Sequence, residues 1–170
     1  MYSDNILSKG VVSIEVISKD GTVREIREGN NTVNSSIKNK ITDALQADTT
    51  NFGCTTSLMN DDDFTSPSAN SSGIFVKDNT SPTPVRYQTE CSLVSSGDYT
   101  FTMKGILRAA GSYTLPTCHL GNKYNTTSKE FDVAFSDHTF QSGSPLANNP
   151  ISLVDGDQLN ITWTMTIADN

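Results

Sequence analysis

Histidine occurs twice in the 170 residues, tryptophan once and cysteine three times, and each scarcity removes a class of explanation. Cys54, Cys91 and Cys118 lie far apart and are odd in number. A disulfide framework is even and denser, and a zinc site shows a close Cys-x-x-Cys pair, so these read as free thiols. Cys118-His119 makes a poor chelate, because neighbours on a strand point to opposite faces. Positive charge is scarce as well. Twelve basic residues against nineteen acidic leave a net charge of −7, too little basic character to neutralise a row of phosphates, which argues against direct nucleic-acid binding. The acidity reads first as solubility. No apolar run approaches the ~20 residues of a membrane-spanning helix, so no membrane is expected. The opening Met-Tyr-Ser-Asp-Asn-Ile-Leu has neither the basic start nor the apolar core of a signal peptide, so synthesis and folding are expected in the cytoplasm.

Motifs that announce chemistry are missing too. There is no Gly-x-Ser-x-Gly elbow, no phosphate-binding glycine loop and no dinucleotide fingerprint. Ser136, Asp132 and Asp137 lie beside His138, too close in sequence for a nucleophile, base and orienter. His138 reads as a solvated loop histidine, and His119 as a packed residue on a strand or at its end. Asp61-Asp62-Asp63 and Asp155-Gly156-Asp157 lack the spacing of the twelve-residue calcium loop, and the second reads as a turn before the last strand. No catalytic residue, metal or cofactor is expected.

What is present is strand alternation. Residues 11–18 put Val12, Ile14 and Val16 on one face, and Asp20-Gly21 links them to a second β-prone run, Thr22 to Arg27, in the pattern of a hairpin. Residues 35–47 predict the one helix, capped by Asn34 or Ser35, with Ile37, Ile41, Ala44 and Leu45 on one stripe. From 48 to 72 the pattern dissolves into a long polar loop. Further strands are predicted at 73–77, 85–94, 99–107, 131–135, 150–153 and 159–167. In the last of these Leu159, Ile161, Trp163, Met165 and Ile167 point inward. About eight alternating strands and a single helix predict one all-β domain over residues 1–170, an antiparallel β-sandwich, with the jelly roll as a candidate topology.

The C-terminal part of the chain joins Gly-Ser-Pro-Leu (143–146), Pro-Ile-Ser-Leu (150–153), the turn Asp155-Gly156-Asp157 and the closing strand Leu-Asn-Ile-Thr-Trp-Thr-Met-Thr-Ile (159–167), with Tyr-Thr-Phe-Thr-Met-Lys-Gly-Ile-Leu (99–107) upstream. The N-terminal part joins a strand, Asp-Gly, a charged strand, and Asn-Thr-Val-Asn (31–34) leading into the predicted helix. In these segments the chain resembles a broad group of small tailed-bacteriophage virion proteins. The resemblance implies a non-enzymatic structural subunit of the particle: head decoration first, or a neck, collar or tail attachment. It would be made in the host cytoplasm, partnered by other virion proteins and assembled as a homo-oligomer. The alternative is a lectin-like module that grips host glycans, for which Tyr87, Tyr113 and Tyr124 are the stacking candidates.

Overall fold

A computed structural model describes residues 7–33, 73–78, 85–88, 90–97, 100–125, 127–128, 130–142 and 147–168. In chain order the strands are β1 (Leu7–Ile17), β2 (Val23–Asn30), β3 (Thr32–Val33), β4 (Gly73–Asp78), β5 (Val85–Gln88), β6 (Glu90–Gly97), β7 (Thr100–Arg108), β8 (Tyr113–Leu115), β9 (Thr117–Asn125), β10 (Glu130–Thr139), β11 (Gln141–Ser142), β12 (Ala147–Asn148), β13 (Ile151–Leu153) and β14 (Gln158–Ala168). Among the described residues there is no helix; the one expected over 35–47, and the polar loop 48–72, lie outside them.

The strands form two five-stranded antiparallel sheets, ordered β2-β1-β14-β7-β6 and β3-β10-β9-β4-β5, with two short pairs, β11-β12 and β13-β8. Alternation explains the first sheet. β1 faces β14 over its full length, bringing Val12 opposite Trp163, Ile14 opposite Ile161 and Val16 opposite Leu159, so inward side chains meet inward side chains. These six are at most 1% exposed. With Ile74 and Val76 of β4, Cys118 and Leu120 of β9, and Leu115, Ile151 and Leu153 of the β8–β13 pair, they form one hydrophobic core. The opposite face of the first sheet mixes threonines and charged residues with the exposed Val11, Ile26 and Ile106, and Thr102 and Thr164 share a hydroxyl–hydroxyl hydrogen bond of 3.1 Å across it.

The Asp20-Gly21 hairpin forms as expected. Gly21 N–H donates to Ser18 O at 2.8 Å, Ser18 N–H donates to Thr22 O at 2.8 Å, and Gly21 takes a φ of 86° that a Cβ would disfavour. Asp20 accepts from the Thr22 N–H at 2.9 Å, and that bond holds its carboxyl below the usual carboxylate range. At the other end of the chain Asp155-Gly156-Asp157 is the turn its sequence predicts, with Gly156 at φ 86°.

Two expectations are corrected. The run 85–94 is two strands, β5 in one sheet and β6 in the other, with one residue between them. The topology is also not that of a jelly roll. β1–β2, β4–β5, β6–β7 and β9–β10 are hairpins inside a sheet, whereas a jelly roll wraps consecutive strands mostly from sheet to sheet.

Candidate functional site

The polar side chains converge on the β9–β10 hairpin and on the crossing from β2 to β3. Asn125 starts the hairpin turn: its side-chain oxygen accepts from the N–H groups of Thr127 at 2.9 Å and Ser128 at 3.1 Å. Glu130 then faces Asn125, and the pairing runs back along both strands to Ala134 opposite Gly121. A bulge between Ala134 and Ser136 adds one residue to β10, so that Asp137, not Ser136, comes to lie opposite His119.

On that face His119 Nδ1 lies 2.6 Å from Asp137 Oδ1, and Thr117 Oγ1 lies 3.0 Å from His119 Nε2. The Asp137 carboxylate accepts from His119 Nδ1–H, and the Thr117 hydroxyl lies within hydrogen-bond distance of Nε2. The order hydroxyl, imidazole, carboxylate is the one that activates a nucleophile. Its setting is different. β9 pairs with β10 on one side and β4 on the other throughout 117–121, so its backbone N–H groups serve the ladders and are not free to stabilise an oxyanion. The arrangement ties two strands across a bulge.

The inward face holds a second cluster. Ser136 and His138 are buried, at 0% and 8% exposure, which corrects the reading of His138 as a solvated loop residue: it stands on β10 and faces the interior. The parity change at the bulge turns it inward. Its Nδ1–H donates to Asn30 O at 3.0 Å, and its ring meets Phe140 edge-on at 5.7 Å. The Asn31 amide donates to Ser136 Oγ, while its own oxygen has no hydrogen-bond partner among the described residues. Two glycines make room for these side chains. A Cβ on Gly10 would overlap the Asn31 amide, and one on Gly29 would lie 2.7 Å from His138 Cε1.

Burial pushes the His138 pKa down, and the Asn30 carbonyl, which favours the protonated ring, offsets only part of that. Below the ordinary histidine pKa of about 6.5 the unfolded chain therefore binds more protons than the folded one. The stability from His138 is present above that value and is lost as the pH falls through the lower folded value. The urea midpoint is expected to fall between about pH 7.5 and 5, and His138→Gln to remove much of that slope. Parallel profiles for the two proteins would assign the slope to other groups.

Asp157 is the third buried polar group among the described residues, 2% exposed. It accepts from the Val154 N–H at 3.0 Å and pairs with Arg24 at 2.9 Å, so it fastens the last turn to β2. This is structural work by an aspartate, and among the described residues no group of three or more His, Cys, Asp or Glu is placed to hold a metal ion.

The three tyrosines stand on three different strands. Tyr113 is partly buried and packs against the core. Tyr87 stands on β5 opposite Val76, itself opposite Cys118, while Tyr124 stands on β9 opposite Phe131. Tyr87 and Tyr124 are thus two strands apart and six residues out of step, roughly 20 Å along the strands, too far to share one sugar ring. No protein family, curated protein or solved structure matches the chain.

Proposed function

We propose that this chain is a non-enzymatic structural component of a tailed-bacteriophage virion, its two sheets stacked as a β-sandwich, assembling through subunit contacts as head decoration or as a neck, collar or tail attachment. The observation that carries the reading is where the exposed apolar side chains lie. Of the five exposed large apolar side chains among the described residues, Ile26, the most exposed at 65%, and Val23, at 47%, sit on β2, an eight-residue strand that is the edge of its sheet among those residues. A long edge with exposed aliphatic residues is a contact surface awaiting a neighbour. The polar clusters are consistent with this role. Thr117, His119 and Asp137 brace a hairpin, and Asn31, Ser136 and His138 fix the passage of the chain between the sheets. The resemblance of the two chain ends to small virion proteins supplies the particle.

The test is co-sedimentation of the purified protein with intact and emptied virions of the phage that encodes it, alongside its mass by light scattering. Saturable uptake at a fixed copy number per particle is the expected result. A protein that ignores both particles overturns the reading, and a glycan array then tests the lectin alternative.

A further inference from the structure

β2 reads Val23-Arg24-Glu25-Ile26-Arg27-Glu28-Gly29, and its charges are antisymmetric about Ile26. Two positions before and after the isoleucine stand Arg24 and Glu28; one position before and after stand Glu25 and Arg27. Among the described residues the strand is the outer edge of its sheet, paired with β1 on one side and with no strand on the other. From Glu25 to Asn30 its register with β1 is unbroken, so this stretch is regular; the single irregularity falls at Arg24. Ile26, at its centre, is the most exposed large apolar side chain among the described residues.

We infer that β2 is a homodimer edge: two copies of the chain pair antiparallel through β2, with Ile26 facing Ile26 across a two-fold axis, joining two five-stranded sheets into one of ten. In that register Glu25 faces Arg27 of the second copy and the pair recurs by symmetry, while Arg24, at the irregularity, stands outside the regular ladder. Unlike charges directly opposite one another stabilise a sheet, and like charges destabilise it. Neighbouring registers are penalised. A slip of one residue in one direction brings Glu25 onto Glu28; a slip of two brings Glu25 onto Glu25, or Arg27 onto Arg27. Parallel pairing in register sets every charge on its own kind. Charged side chains commonly protect a sheet edge from unwanted strands. Here the order of charges blocks other registers and admits a second copy, the self-complementarity that an isologous two-fold interface requires.

The arginines are already held in place for this. Arg24 pairs with Asp157 at 2.9 Å and donates to Ser152 O at 2.6 Å, while Arg27 pairs with Glu25 at 2.5 Å and donates to Asn149 O. A guanidinium carries five N–H donors and a carboxylate accepts at both oxygens, so Glu25 can keep its own Arg27 while it meets the facing one. The inference stands on one strand's sequence and exposure and does not depend on the chain being a virion protein.

Light scattering on the purified protein tests it without any particle. The expected mass is twice the 18.4 kDa of one chain. Ile26→Lys, on a side chain already in solvent, should give a monomer with unchanged circular dichroism and thermal midpoint. Glu25→Arg should also give monomer, because the new guanidinium faces Arg27 of the second copy, and adding Arg27→Glu should restore the dimer. Register is read by cross-linking. In a background with Cys54→Ser and Cys91→Ser, Ile26→Cys should yield a disulfide-linked dimer on oxidation, because facing Cα atoms lie about 4.5–5.5 Å apart. Val23→Cys should not, because the two copies of residue 23 lie roughly 20 Å apart. The remaining Cys118 is fully buried, which pushes its thiol pKa well up and keeps it out of the exchange. A wild-type monomer, an oligomer indifferent to Ile26→Lys, or cross-linking at 23 and not 26 each overturns the pairing. A monomer that still binds virions would overturn it while leaving the proposed function intact.

Discussion

Replacing Trp163 with serine is expected to lower the free energy of unfolding by about 3–5 kcal/mol, as for other large aromatic-to-small core changes. Trp163 is fully buried at the middle of β14, between Val12 of β1 and Met103 of β7. Serine would leave a ring-sized void beneath the central strand of the first sheet and bring a hydroxyl into it. Trp163→Phe separates the contributions. The indole Nε1 is buried with no hydrogen-bond partner among the described residues, and a buried unpaired donor costs about 1–3 kcal/mol. Phenylalanine removes that donor and leaves a much smaller void than serine, so its loss should fall clearly below that of the serine variant. Urea denaturation ranks the three proteins. A serine variant within about 0.5 kcal/mol of the wild type, the range of neutral surface changes, would mean that the inward face of β14 is misassigned.

Gly10→Ala should be nearly as damaging, although it adds one methyl group. The backbone at Gly10 accepts from the Asn31 N–H at 3.1 Å, and the Asn31 amide lies over the glycine where a Cβ would stand. Alanine must push that amide away, losing its bond to Ser136 and disturbing the chain where it leaves β2 for β3. Overpacking costs about 1–3 kcal/mol and the lost hydrogen bond about 1, so a total of roughly 2–4 is expected. The companion Asn31→Ala removes the obstacle. The double variant should therefore be more stable than the sum of the two single losses predicts, by about 1 kcal/mol or more, the coupling expected of residues in contact. Strict additivity in denaturant melts would show that the two residues do not compete for the same space.

The alternation of β1 and β14 was legible because each strand keeps a regular period of two and has one dry face: Val12, Ile14 and Val16 on one, Leu159, Ile161, Trp163 and Met165 on the other. The hairpin between β1 and β2 was legible for a different reason, since Asp20-Gly21 carries its turn chemistry within two residues. What the sequence hides are events with no residue type of their own. Thr89 is an ordinary β-former, so nothing marks the point where the chain leaves one sheet for the other. The bulge in β10 hides His138 and the His119–Asp137 pair together. Counting back from the Asn125 turn at a regular period brings Ser136 opposite His119 and leaves His138 pointing outward; one extra residue reverses both. The antisymmetry of β2 about Ile26 was visible in the letters, yet it acquires meaning only once β2 is known to be an edge.

The full-length pairing of β1 with β14 fixes how the domain transmits force. Leu7 faces Ala168 and Ile17 faces Gln158, so the chain enters and leaves the first sheet side by side, at one pole. Tension applied through those two ends would pull the neighbouring strands apart from that pole, loading the hydrogen bonds one pair at a time, like a zip, instead of all together in shear. Anything held through both ends would thus hang from one point of the sheet, and the domain would yield there first, at low load, despite the eleven residue pairs that join its two longest strands.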